Sequence, residues 1–302
     1  MAEVWWDEGL MDAPQKKLAH KCTVEEKTEI TALLGEATGL SKGRIKDAMA
    51  KGACWVRRSG KKKRIRARRA TSPAFVGDEV EFFYDPHLLA LKPPEGKLLS
   101  DHRAYSFWFK PAMLLSQGTD YGDHCSLLRQ VELWARASKR DAFLLHRLDR
   151  EAEGIMLFAH KSRDSGKLGQ LFQKGEVQKY YRVRVHGDAT KHLDKEGKID
   201  TPIDGRSALS RYRIVDSDTV DSDDEHSEPQ STLEVKIITG RTHQIRRHLA
   251  CKGLPVVGDK QYGDRPVAAG TKLELKAYRL AFRCPLSGKQ VECELPESAP
   301  TQ

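Results

Sequence analysis

The 302-residue sequence contains no apolar run approaching the roughly 20 residues that a membrane-spanning helix requires. Its beginning, with Trp5, Trp6, Asp7 and Glu8, lacks the basic stretch followed by an apolar one that marks a secretory signal. No Cys-x-x-Cys pair occurs. The six cysteines, Cys22, Cys54, Cys125, Cys251, Cys284 and Cys293, are scattered, without the Cys/His spacing of a zinc site. They read as reduced thiols rather than a disulfide framework, so the expected location is the cytoplasm, with neither a metal nor a membrane involved. Paired carboxylates, a metal cluster and a Ser/Cys–His arrangement are also missing, which argues against a ribonuclease or other hydrolase.

Negative charge is in deficit. Forty-three acidic residues against 52 lysines and arginines leave a formal charge of +9 and a pI near 9.2. A polyanionic partner follows, because each phosphate neutralised by Lys or Arg releases condensed counterions; nucleic acid is favoured over acidic small molecules. The length allows two domains, one with a sizeable core. Residues 1–27 read as a loosely attached polar arm, with Thr23 and Glu26 resembling a capping box. Residues 28–85 read as a small domain of two helices, ending near Gly39 and Gly52, followed by strands at Ala53 to Val56 and after Gly77. Residues 86–102, rich in proline and without periodicity, read as a linker, and 103–302 as the larger domain. In the latter, Lys179 to His186, Ser210 to Val215, Thr232 to Thr239, Leu273 to Phe282 and Gln290 to Leu295 read as strands. Ser162 to Lys174 and Thr242 to Lys252 read as helices, so the fold class is α+β. Residues 216–228, with seven acidic residues in thirteen, read as a solvated insertion between two strands.

The densest chemistry lies at Leu145-His146-Arg147-Leu148-Asp149-Arg150, a lone carboxylate among a histidine and two arginines. Apolar runs flank it, Ala142 to Leu145 before and Ile155 to Ala159 after Gly154, so the hexapeptide is expected to connect two buried strands. Neighbouring cations favour the ionised form of Asp149 and suit it to act as a nucleophile or electrostatic stabiliser. An Arg–Asp ion pair tying the strands together is the other reading. A second concentration, Arg57 to Arg69, holds nine basic residues in thirteen and is either a solvated face or a nucleic-acid contact.

The order of helix, Leu40-Ser41-Lys42-Gly43-Arg44-Ile45-Lys46, helix, Lys51-Gly52-Ala53 and a closing Gly-Asp-x-Val strand resembles the small RNA-binding domain of ribosomal small-subunit protein four. The resemblance implies that Lys42, Arg44, Lys46 and Lys51 meet structured RNA. Beside them Arg57, Arg58, Lys61, Lys62, Lys63 and Arg64 are read as an added RNA-binding loop.

The hexapeptide is followed by Lys179-Tyr180-Tyr181-Arg182, by Thr239-Gly240-Arg241-Thr242-His243-Gln244-Ile245-Arg246 and by Gly253-Leu254-Pro255-Val256-Val257-Gly258-Asp259. In this order the set resembles the RluA-type pseudouridine synthases, over about Phe107 to Pro296. The resemblance implies a catalytic domain built on a mixed, mainly antiparallel sheet, active as a monomer without a cofactor. It implies isomerisation of chosen uridines, with large-subunit ribosomal RNA the first expectation and transfer RNA the second. Asp149 is then the nucleophile, attacking either sugar or uracil, and Tyr181 packs on the base and helps remove the proton from its carbon 5. Arg246 pairs with Asp149. A uridine within a stem must be extruded first, and Arg147 is expected to fill the vacated stack while His146 orients the loop or touches phosphate. His243 and His248 are read as packing or backbone contacts. Two departures stand out: the family's Thr-Ser-Gly after the aspartate is Ala152-Glu153-Gly154, and its Lys-Pro-Ala-Gly is Lys110-Pro111-Ala112-Met113. The missing Thr-Ser supports the rival reading, an RNA-binding or ribosome-assembly factor without catalysis, against which the Asp149, Tyr181 and Arg246 set argues.

Overall fold

The computed structural model describes residues 16–218, 229–264 and 266–296. The first fifteen residues of the expected arm, and residues 219–228 of the expected acidic insertion, lie outside them. The chain divides into two units, one of residues 1–94 and 117–130, the other of 95–116 and 131–302.

The first unit contains β1 (Leu18–Thr23), β2 (Thr28–Glu29), α1 (Ile30–Thr38), α2 (Lys42–Ala50), β3 (Cys54–Arg57), β4 (Ile65–Arg66), β5 (Pro73–Ala74), β6 (Glu79–Tyr84) and α3 (Pro86–Ala90). An antiparallel sheet in the order β1-β6-β3-β4 carries the two helices over a core of Ile30, Leu34, Ile45, Met49, Val56, Val80 and Phe82. Ser41 caps α2 by accepting from the Arg44 N–H. Gly39 ends α1 in the left-handed conformation, where glycine carries no steric penalty.

Three sequence expectations change here. The arm is not loose throughout, since Leu18 to Thr23 pair with Tyr84 to Glu79 in β1. Its alternating half-buried and exposed positions are a strand pattern too short to stand out from the polar residues around it. Thr23 and Glu26 do not cap a helix: α1 begins at Ile30, behind Glu29, without a side-chain cap. The linker contains α3, whose Pro86 occupies the first turn where its missing N–H costs nothing and whose Asp85 caps Leu88. It also contains β7 (Lys97–Asp101), an edge strand of the second unit.

The second unit continues with β8 (Tyr105–Lys110), α4 (Leu127–Ala137), β9 (Phe143–Leu144), β10 (Glu153–Ala159), α5 (Ser162–Lys174), β11 (Gln178–His186), β12 (Glu196–Ile199), β13 (Ser210–Asp218), β14 (Gln230–Ile237), α6 (Gln244–Ala250), β15 (Leu275–Arg283) and β16 (Gln290–Glu294). The first residues of α4 belong to the other unit. The sheet runs β12-β13-β14-β11-β15-β10-β8-β7, with β16 on β15 and β9 on β10. All its pairs are antiparallel except β10 with β15, so the fold is α+β as expected. β10 is buried along its whole length, as a central strand covered on both faces must be. Phe107, Ile155, Leu157, Leu168, Leu280 and Phe282 form the core beneath α5.

At the parallel pair, Glu153 and Gly154 lie beside Lys276 and Ala277. Gly154 has φ +130, and a Cβ there would stand 2.3 Å from the Ala277 carbonyl oxygen. Only glycine lets the two backbones approach, which explains why this residue is present in an otherwise altered motif. Gly154→Ala should therefore cost about 3 kcal/mol, combining overpacking with backbone strain, read as a lowered denaturant midpoint. A midpoint equal to that of the unaltered protein would mean that the strands do not approach this closely.

Candidate active site

The connection from β9 to β10 carries the charged hexapeptide, because Leu144 pairs with Phe158 and Phe143 with Ala159. Its backbone rests on the segment from Lys110 to Ser116. Ser116 Oγ accepts from the Leu148 N–H at 2.9 Å and donates to the Leu148 carbonyl at 2.7 Å. The Met113 N–H donates to the Arg150 carbonyl at 2.8 Å. Lys110 Nζ donates to the carbonyls of Arg150, Leu114 and Pro111 at 3.1, 2.8 and 3.1 Å, so each ammonium proton has an acceptor. Burial lowers the Lys110 amine to about 7, against the pull of Asp149, Glu151 and Glu153. Both residues before and after Asp149 are thus fixed, and the carboxylate emerges half-buried from a clamped backbone.

Met113 holds φ +67, the left-handed region in which a side chain costs roughly 1–2 kcal/mol. The glycine expected at this position is absent, but the conformation that favours it is kept. Glu153 has a comparable explanation. It is buried at the start of β10 and pairs with Lys276 Nζ at 2.9 Å, so its charge is compensated within the sheet rather than aimed at a ligand.

Arg246 lies on α6, 4% exposed, and its main partner is not Asp149. Its Nε and Nη2 form a fork with Asp259, both bonds at 2.7 Å. The backbone N–H groups of Gln261 and Tyr262 also donate to Asp259, at 2.9 and 3.0 Å. Nη1 then faces Asp149 at 3.7 Å and Glu151 at 4.0 Å. The sequence pointed to the Arg246–Asp149 relation and missed Asp259, whose signal was a Gly-Asp turn quoted without a role. Gly258 explains the tight turn: with φ +78, a Cβ there would meet the Lys272 carbonyl at 2.0 Å. Burial pushes the Asp259 carboxyl up, but Arg246 and the two N–H groups outweigh it and hold it below the ordinary carboxylate value.

Tyr181 is buried on the face of β11 opposite Tyr180, as strand alternation requires. Opposite them on β15 the register shifts between Arg279 and Ala277, a bulge that re-aims local side chains. Burial, with the charge of Asp149 added, pushes the Tyr181 hydroxyl well above its ordinary value. A phenol held neutral can pack against a base but is unsuited to taking a proton at neutral pH. Tyr180 faces away, with Lys236 and Arg279 over its ring at 5.2 and 4.9 Å.

The two residues before Leu148 separate. His146 stacks on Phe172 with centroids 4.8 Å apart and accepts from the Leu157 N–H at 3.0 Å. Burial lowers it to about 3, so it is a neutral pin for the loop rather than a phosphate contact. Arg147 is exposed beside it. His243, read as packing, instead stands with Nε2 at 3.9 Å from Asp149 and Nδ1 at 2.9 Å from the Tyr262 hydroxyl. His248 follows its expected part, held by Ser210 and Thr201.

In the first unit most arginines of the basic run are tied to carboxylates, while Arg69 is exposed. Arg57 pairs with Glu79, Arg58 with Asp78 at 2.5 Å, and Arg64 with Glu81 and, at 2.6 Å, with Asp120. Arg66 and Arg68 both pair with Asp123. Arg64 and Arg66 also flank the Trp55 ring, at 4.3 and 4.0 Å. These arginines are internal ties, which corrects the expectation of one continuous RNA-binding loop. Lys61, Lys62 and Lys63 are exposed at the turn between β3 and β4. On α2, Lys42 and Lys46 are exposed and Arg44 is half-buried. Lys51 is tied to Asp47 at 2.9 Å and to the Leu89 carbonyl at 2.7 Å, which takes it from the contact set.

A family model described as RNA pseudouridylate synthase matches residues 104–251. A dual-specificity RNA pseudouridine synthase RluA from Pasteurella multocida is 30% identical over 170 residues, covering 50% of this chain and 71% of that one. The ribosomal large subunit pseudouridine synthase C of Vibrio cholerae is 30% identical, covering 72% and 65%. An RNA pseudouridine synthase of Aquifex aeolicus is 33% identical, covering 51% and 52%, so the chain spans between half and two thirds of the length of these last two relatives. A solved human structure, RNA pseudouridylate synthase domain containing 4, shares the fold with a TM-score of 0.53 at 20% identity, covering 67% of this chain and 89% of that one. The chain belongs to the RNA pseudouridylate synthase family. Within it, the likeness is to the RluA type.

The Arg246–Asp259 fork predicts a reversal of pH behaviour. In the unaltered protein Asp259 has a depressed carboxyl, so its stabilisation is present above the unfolded value near 3.9 and is lost as pH falls through the folded value. Arg246→Met should cost about 3–5 kcal/mol at pH 7, because Asp259 is left buried and unpaired. Part of that loss should return as pH is lowered towards 4 and Asp259 takes up a proton. Denaturant melts between pH 4 and 8 check this, and a pH-independent loss would show that Asp259 is not the source.

Proposed function

We propose that this protein isomerises uridines in structured RNA to pseudouridine, with Asp149 as the attacking or stabilising carboxylate. The observation that carries the reading is the clamped loop: Leu148 and Arg150 are held by Ser116, Met113 and Lys110, and Asp149 between them faces Arg246 Nη1. Moving uracil from its nitrogen to its carbon linkage breaks a glycosidic bond without redox change, and charge develops on the sugar as the bond opens. One fixed carboxylate beside the anomeric carbon is suited to that task, as in other glycosyl chemistry. Arg246 keeps the carboxylate aimed, Tyr181 offers a neutral ring beside it, and we assign to Arg147, which is exposed, the filling of the gap left by an extruded nucleotide.

The substrate is ribosomal RNA, in line with relatives named for the large ribosomal subunit. Of the first-unit cations that the sequence singled out, Lys42, Arg44 and Lys46 on α2 and Lys61, Lys62 and Lys63 on the turn are the ones we assign to phosphate, a smaller set than the sequence implied. The enzyme acts as a monomer in the cytoplasm. The non-catalytic alternative rests on the missing Thr-Ser, and the Glu153–Lys276 pair weighs against it at the second of the two altered positions, where it gives the new carboxylate a structural partner.

Mapping pseudouridines in total RNA from cells with and without the gene should show at least one site lost on deletion. The unaltered protein should restore it and Asp149→Asn should not. If Asp149→Asn restores every lost site, the carboxylate is not the reacting group. Binding to that RNA should also weaken with salt, and replacing Lys61, Lys62 and Lys63 together by Ala should reduce the log–log slope by about 2–3 if each meets a phosphate. An unchanged slope would place the turn outside the interface.

A further inference from the structure

We infer that His243 is the group that removes the proton from carbon 5 of the rotated uracil. The inference rests on the uridine-isomerase reading and assigns a step that Asp149 and Arg246 leave open.

Five non-glycine residues among those described adopt the left-handed conformation, and two of them, Met113 and His243, adjoin the Asp149 loop. His243 has φ +52 at the residue before α6 and caps that helix with no side-chain hydrogen bond. Its ring is instead turned towards the carboxylate, with Nε2 3.9 Å from Asp149 Oδ1. On its other side Nδ1 lies 2.9 Å from the Tyr262 hydroxyl, and the two rings meet edge to face at 5.6 Å. A strained backbone that delivers a half-buried imidazole to the reacting carboxylate is a costly arrangement for packing alone.

Elimination among the groups around Asp149 points the same way. Arg246 is permanently charged and engaged by Asp259. Lys110, although its amine is lowered to about 7, is fully buried with Nζ bonded to three backbone carbonyls, and Tyr181 is a buried neutral phenol. Glu151 is held by Arg246 Nη1 at 4.0 Å, and the step has to run near neutral pH. Imidazole is the side chain that ordinarily exchanges a proton in this range. The groups that face the His243 ring are Asp149 on the loop and Tyr262 after α6, and each of these also meets Arg246.

The step balances without a co-reactant. Isomerisation moves one proton from C5 of uracil to N1, the nitrogen freed by glycosidic cleavage. After the C1′–C5 bond has formed, C5 carries both that bond and its hydrogen. With Nδ1–H donating to the Tyr262 oxygen, the Nε2 lone pair takes the C5 proton, and the C–H electrons restore the ring double bond. The imidazolium stands beside Asp149, which offsets its charge. His243, 23% exposed, then releases the proton to water, while N1 gains one, so no net proton is consumed.

The test uses the full chain and the RNA site found by mapping, transcribed with uridine tritiated at C5. Release of tritium to water counts the proposed step. His243→Gly suits it because glycine adopts a positive φ freely, so folding is retained, and the missing ring leaves space for a small molecule. The variant should bind the RNA within about threefold of the unaltered protein and release tritium roughly 100-fold or more slowly. Added imidazole should restore part of the rate. Turnover equal to that of the unaltered protein, or a loss that imidazole does not repair, overturns the assignment. No tritium release by the unaltered protein would instead overturn the isomerase reading.

Discussion

The site is organised around one ion pair, the fork between Arg246 and Asp259. A guanidinium buried on a short helix would be a liability alone; with a buried carboxylate accepting two of its N–H groups, it becomes a fixed point of positive charge. Because Asp259 is itself anchored by the N–H groups of Gln261 and Tyr262, the helix and the turn after Gly258 are locked to one another. The remaining nitrogen, Nη1, is presented to Asp149 and Glu151 before any ligand arrives. Such preorganisation is worth more than the strength of the 3.7 Å contact itself, since the groups need not reorient when charge develops.

The opposite side of the loop is held through its backbone. Ser116 clasps Leu148 through both backbone atoms, and Lys110 and Met113 converge on the Arg150 carbonyl. The two departures from the family pattern fall within this frame. Met113 keeps the backbone angle that a glycine would supply, and Glu153 finds Lys276 on the neighbouring parallel strand. Neither alters which atoms hold Asp149.

Local pattern carried much of this into the sequence. The central strands and α5 were legible from alternation and amphipathic spacing, and the hexapeptide's place between β9 and β10 from its apolar flanks. What was not legible depended on distant pairing. β1 and β7 take their identity from the strands they join, α3 was hidden by a proline that suits a helix start, and α4 was not foreseen. The basic run misled for the same reason. Five of its six arginines face Asp78, Glu79, Glu81, Asp120 and Asp123, and no count of cations along the chain could tell those partners from phosphates. Asp259, Ser116 and His243 likewise gained their roles from tertiary contact, although two of them lay inside quoted motifs.

The division of the chain carries an evolutionary consequence. Its path leaves the first unit after Pro94, returns at Gln117 and leaves again after Gln130. The returning stretch brings Asp120 and Asp123, which pair with Arg64, Arg66 and Arg68. A gene-level exchange at residue 94 would therefore take from Arg64 one of its two carboxylates and from Arg66 and Arg68 the Asp123 they share, leaving those carboxylates in the other parent's polypeptide. The amino-terminal unit is not a cassette that recombination can replace in one cut, and its basic surface must change with the segment that follows the Lys110–Ser116 bed.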